Sequence, residues 1–420
     1  FTRVPFVPSG ANRPSVQSLA AGPGDWFPFV ADDDPFPRDS VIDVSRLIEA
    51  PAGKHGFLKR DKDRLRFEKA VRPVKFWAIG SAPREMTVAQ MKQAAKWYRK
   101  HGVNMVRQHT VIATTGLLDA NGNFNKEKLD RYDRWFAAMK EEGIYSAWSV
   151  IYPHHGAFLQ KHDGYDPAFF YELDRLNANR DGNRQPLAVS DFINLDRRLQ
   201  DIALKYFRKL LQHRNPYTGL AYKDDPALAI LEFQNESNAF FHSLSDMFLG
   251  RAPTFAKMMR GRFHAFVKEK YRTKEAVSRA WSKKWSPRDN WEGGELALQG
   301  AYHWGADGPL FEYRGQVQRT ADYIEFYTRL QWEYYSRRQR EVRELGFKGV
   351  TVTTAWHSGG PAASMANLFC DTAADMIDRH NYHGGGSGGH VITEGKVNNE
   401  RGRCFRRSKN SYAVVIGQSI

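Results

Sequence analysis

The chain has 420 residues, 41% of them hydrophobic and 26% charged, a balance that fits a globular protein with a sizeable core and excludes a disordered or collagen-like chain. No apolar run is long enough to cross a bilayer, and two cysteines, Cys370 and Cys404, make no disulfide framework. Net charge is +15, which attracts polyanions, but the basic residues are dispersed and no nucleic-acid-binding signature stands out, so neither nucleic acid nor a membrane is expected as a partner.

Residues 1–54 are rich in Pro, Gly and Asp over most of their length and read as an irregular N-terminal arm. The chain begins at Phe1, so any export signal is out of view, and a secreted or periplasmic location is the expectation. "HGFLKRDKDRLRFE" gives two short alternating segments around a turn and predicts a hairpin. "PVKFWAIGS" follows as a buried strand. "TVAQMKQAAKWYRKHG" has helical spacing, a Thr87 cap and a closing Gly102.

From there the pattern repeats. "VNMVRQHT" is a short strand, "NKEKLDRYDRWFAAMKEEG" a helix closed by Gly143, "IYSAWSVIYPHH" a strand and "DRRLQDIALKYFRKLLQHR" a helix. "ALAILEFQNE" is the fourth strand. A mostly helical stretch, 240–346, reads as an insertion after it. "KGVTVTTAWH" and "ADMIDRHNYHGG" hold the fifth and sixth strands. Strands alternating with helices predict a parallel sheet with right-handed crossovers. Each strand is apolar until its C-terminal end, as in a (β/α)8 TIM barrel, where the active site is built at the strand ends. A doubly wound sheet also works at strand ends, but no Gly-rich phosphate loop is present.

The strand ends carry Arg107 and His109, then His154 and His155, then Asn235 and Glu236, then Trp356 and His357, then His380 and Tyr382. Singly, each reads as a surface charge or a hydrogen-bonded structural residue. Their recurrence at one point of successive units points to a shared opening.

The order Arg, Asn-Glu, His-x-Tyr at the second, fourth and sixth strands, carried by "FQNESN" and "DRHNYHG", resembles clan A of the glycoside hydrolases, nearest to the family 5 type of cellulases and mannanases. The resemblance spans roughly residues 55–395, and the lead-in "LRFEKAVRPVKFWAIGS" shares it. It implies a TIM-barrel catalytic domain, taken as 55–398, that hydrolyses a β-linked poly- or oligosaccharide with retention and without a cofactor. Glu236 is then the general acid/base, with a raised pKa. Asn235 bonds the sugar 2-hydroxyl. Arg107 and Tyr382 flank the nucleophilic carboxylate. His109, Trp356 and His380 shape the subsite nearest the cut, and His154 and His155 border the cleft.

The second carboxylate, about 5–5.5 Å from the first in such enzymes, is the weak point. Glu394 in "GHVITEGKV" is the candidate nucleophile, yet only a Gly-rich loop separates it from Tyr382. A βαβ unit takes about 30 or more residues, and the chain reaches Ile420 too soon for two further units. The barrel is therefore expected to be shortened or atypical in its last two units, with a basic tail at 399–420. Three readings stay open: Glu394 as nucleophile in a shortened barrel, an incomplete barrel with no such nucleophile, or another carboxylate such as Glu400 or Asp378, the last read as structural. An incomplete barrel turns the alternative function into carbohydrate binding without hydrolysis. It also leaves an edge to be covered or paired with another copy, hence an expected homo-oligomer. His380, His383 and His390 with His154, His155 and His357 match no standard zinc spacing, and no metal is expected.

Overall fold

The computed structural model describes residues 43–83, 85–109, 117, 123–152, 164, 166–169, 171–172, 190–240, 250, 252–299, 317–355 and 361–380. The expected hairpin is there: β1 (Leu58–Asp61) pairs antiparallel with β2 (Arg64–Phe67), and Lys62 in the turn takes φ 57°. Leu58, Leu65 and Phe67 face the core, and Phe67 stacks on Tyr145 with ring centroids 4.6 Å apart.

Five strands follow, β3 (Ala78–Gly80), β4 (Met105–Gln108), β5 (Tyr145–Ile151), β6 (Leu228–Gln234) and β7 (Val350–Val352). They lie side by side in chain order, all parallel. A doubly wound sheet reverses its strand order at a switch point; this one runs on without reversal, as a barrel wall does. Where a sixth strand was expected, the described residues show only an isolated parallel bridge, Val352 to Met376, and His380 N donates to Ala355 O at 2.7 Å. The last two units of the expected barrel, and the tail at 399–420, lie outside the described residues, as do residues 1–42 of the arm.

The helices carry the signals read from the sequence. In α1 (Val88–Lys100), Thr87 and Gln90 form a reciprocal capping box. In α2 (Lys126–Glu141), the Asn125 side chain accepts from Lys128 N at 3.1 Å. Asp196 caps α3 (Arg197–Gln212) in the same manner. Val106 packs with Met91 and Ala95 of α1 and with Trp135, Ala138 and Met139 of α2. Trp148 meets Phe136 and Tyr222 edge-on. Every residue of β4 to β7 is buried. Burying one large apolar side chain stabilises by about 1.5–3 kcal/mol, so the wall between helices and interior is the main source of stability.

Between β6 and β7 stand α4 (Pro253–Tyr271), α5 (Lys274–Ala280) and α6 (Val317–Glu344). Helical spacing in "TKEAVSRAWSKKW" continues past Ala280, but the helix stops there because Ser282 and Lys283 turn into the left-handed region. The long α6 packs on α3 and on α7 (Pro361–Asp371), the place of a crossover helix rather than of an appendage. No helix among the described residues is long and apolar enough to cross a membrane.

Candidate active site

Because Val106 faces the helices, Arg107 leaves β4 toward the opposite face. There it is 3% exposed, in register with Ala147 of β5, which pairs in turn with Ile230 of β6. Its guanidinium donates to Glu232 Oε2 from Nη2 at 2.6 Å and from Nε at 3.2 Å, and to Asn235 Oδ1 from Nη2 at 2.9 Å. Its Nη1 lies 3.3 Å from His109 Nδ1. Arginine can only donate, so His109 Nδ1 accepts and the ring proton rests on Nε2.

β6 ends by presenting two neighbours differently. Asn235 extends the ladder one step, its N donating to Ile151 O at 2.8 Å. Glu236 then turns to φ 41°, a region costly for any residue with a Cβ. A buried polar scaffold holds that turn. Gln234 Nε2 donates to Ser237 O and to Asn194 Oδ1, Tyr335 donates to Ser237 O, and Ala239 N donates to Gln331. Ser237 N donates to Thr354 Oγ1 and Asn238 Nδ2 to Asn367 Oδ1. Asn367 in turn donates to Asp371, which is also paired with Arg379 at 2.6 Å. The left-handed glutamate is thus fixed from α6, α7 and the segment after β7 at once.

His380, in the segment after the Met376 bridge, reaches across to Glu236: Nδ1 and Oε1 are 2.5 Å apart. Tyr152, next after β5, donates to Glu236 Oε2 at a long 3.4 Å, and its ring stands 5.4 Å from that of His109. One carboxylate oxygen is therefore tied down, while the other has, among the described residues, only a weak partner, on a side chain that is 15% exposed. Burial pushes the Glu236 carboxyl up, but the hydrogen bond and positive charge of His380 outweigh it, and the net direction is down. This corrects the expected raised value: in the free site Glu236 rests as a carboxylate.

Of the residues singled out from the sequence, the structure brings Arg107, His109, Asn235, Glu236 and His380 together. His154, His155, Trp356, Tyr382 and Glu394 lie outside the described residues, as do His357, His383, His390 and Glu400. Asp378 is buried, lining a small void with Arg107 and Glu232. Arg107 makes an ion pair with Glu232, while its expected neighbour Glu394 lies outside the described residues. Glu232 and Tyr152 were not singled out. The signal for Glu232 is a lone charge inside an apolar strand; for Tyr152, its place directly after β5.

No family model matches the chain, and no curated protein does. Among solved structures, the chain is similar to an endo-1,4-β-mannanase from Rhizomucor miehei (12% identity, 78% of this chain and 91% of that one, TM-score 0.35). It is similar to a family 5 mannosidase from the same organism (11% identity, 86% and 94%, TM-score 0.33). It is also similar to a β-galactosidase from the psychrophilic Marinomonas ef1 (13% identity, 73% and 40%, TM-score 0.43). These structural neighbours are family 5 mannanases and other clan A glycosidases, at low TM-scores and about 12% identity.

Proposed function

We propose that the chain is a glycoside hydrolase acting on a β-linked poly- or oligosaccharide. The observation that supports this best is the gathering of Arg107, His109, Asn235, Glu236 and His380 where successive parallel strands end. In this reading Glu236 Oε2 donates its proton to the glycosidic oxygen as the bond to the anomeric carbon breaks. A second carboxylate, for which Glu394 is the proposed residue, attacks that carbon. Water then displaces the carboxylate and returns a proton to Glu236. The substrate site is formed by Asn235, His109 and His380, with Arg107 behind them; Tyr152 joins the wall. Glu236 must hold a proton for the first step. A sugar that displaces water and a second carboxylate close by both push its pKa up.

The ionised state of Glu236 in the free site favours a second reading, saccharide binding without hydrolysis. Glu236→Gln separates the two. Against β-mannan, β-glucan and aryl β-glycosides, the hydrolase reading expects the wild-type chain to release reducing ends and the variant to lose about 10²–10⁴-fold in kcat with an unchanged circular dichroism spectrum. Saturable binding by both proteins without turnover supports the second reading, and near-normal turnover by the variant overturns the role of Glu236.

A further inference from the structure

Glu232 sits in the middle of β6, 3% exposed, one step deeper than the residues at the opening. Its Oε2 takes two of the Arg107 donors. The remaining Arg107 contacts go to Asn235 and His109, the side chains that face outward to the site. Asp378 lies on the other side: together with Arg107, Glu232, Ala147, Ile230 and Val352 it lines a void of about 10 Å³, the room of roughly one water. Glu232 Oε1 and Asp378 Oδ1 are both buried with no hydrogen-bond partner among the described residues. Two carboxylates thus compete for one guanidinium. The bonds go to Glu232, and that choice aims Arg107 at Asn235.

We propose that Glu232 is a positioning residue for the site: by holding Arg107 from below, it fixes the Asn235 amide and the His109 ring in the orientation that Glu236 works beside. By donating to Oδ1, Arg107 locks the Asn235 amide in one flip state, with Nδ2 as the end left to donate. Without the Glu232 charge, Arg107 is drawn to Asp378, the other carboxylate lining the void, and releases both. The proposal rests on the hydrolase reading for its catalytic consequence, but its structural core does not.

The test is Glu232→Gln, with Glu232→Asp as the variant that keeps the charge. Both are read by kcat and KM on the best glycoside and by the ¹H–¹⁵N signals of the Asn235 side-chain amide. Glu232→Gln should lower kcat by about tenfold or more through misplacement, leave KM within about threefold, and shift the Asn235 signals. Glu232→Asp should recover part of the rate. An unchanged kcat or unmoved Asn235 signals overturn the proposal. Failure of both variants to fold overturns it too, since Glu232 would then be required for the core itself. If the wild-type chain hydrolyses no glycoside, the hydrolase reading has failed, and the Asn235 signals alone decide whether Glu232 positions the site.

Discussion

Glu236 shows how one neighbour decides the state of a group. Burial alone pushes its carboxyl up; the His380 contact at 2.5 Å reverses that direction. Removing the imidazole should therefore let burial win. In His380→Phe the Glu236 pKa should rise above the ordinary carboxylate range, seen as a displaced titration of its ¹³C carboxyl signal. A titration identical to wild type would show that His380 does not hold the charge. The place of Glu236 at a strand end was legible in "FQNESN", but its left-handed backbone turn and the sign of its shift were not. That sign is the balance of burial against a partner 144 residues away, and no spacing rule carries it.

At the scale of elements, local signals and close approaches separate. Gly143 ends α2 with φ 81°, and a Cβ there would run into the Glu49 carbonyl and the Ile48 side chain. Gly143→Ala combines left-handed strain with that overlap and should destabilise by about 1–3 kcal/mol, measured by denaturant unfolding. Thr87→Ala removes one half of a capping box and should cost about 1 kcal/mol, measured in the same way. The sequence predicted both positions as helix ends, since caps and left-handed closures are local. It did not predict that the Gly143 turn abuts the segment at Ile48 and Glu49, which is a packing fact. Nor did the pattern of 240–346 reveal that α6 takes the place of a crossover helix between α3 and α7.

At the scale of the whole molecule, two carboxyls buried behind the site contribute to the pH dependence of stability. Burial pushes both Asp371 and Asp378 up to about 6, from 3.8 for the ordinary group, despite Arg379 beside the first and Arg107 near the second. A carboxyl raised in the folded state stabilises the fold while it holds its proton. That contribution is complete below the unfolded value near 3.8 and is lost as pH rises through about 6. Each is worth on the order of 3 kcal/mol at most. Asp378→Asn should flatten part of the decline between pH 4 and 7 in unfolding free energy; parallel wild-type and variant curves would refute this origin. Amino-acid order alone determined the alternation of elements, their caps and the polar residues at strand ends, because periodicity and capping act over a few residues. Only the tertiary structure decided that Arg107 bonds Glu232, and that Glu236 rests ionised against His380. Those outcomes depend on which strand faces meet across 125 residues or more, and on how buried charges share too few partners.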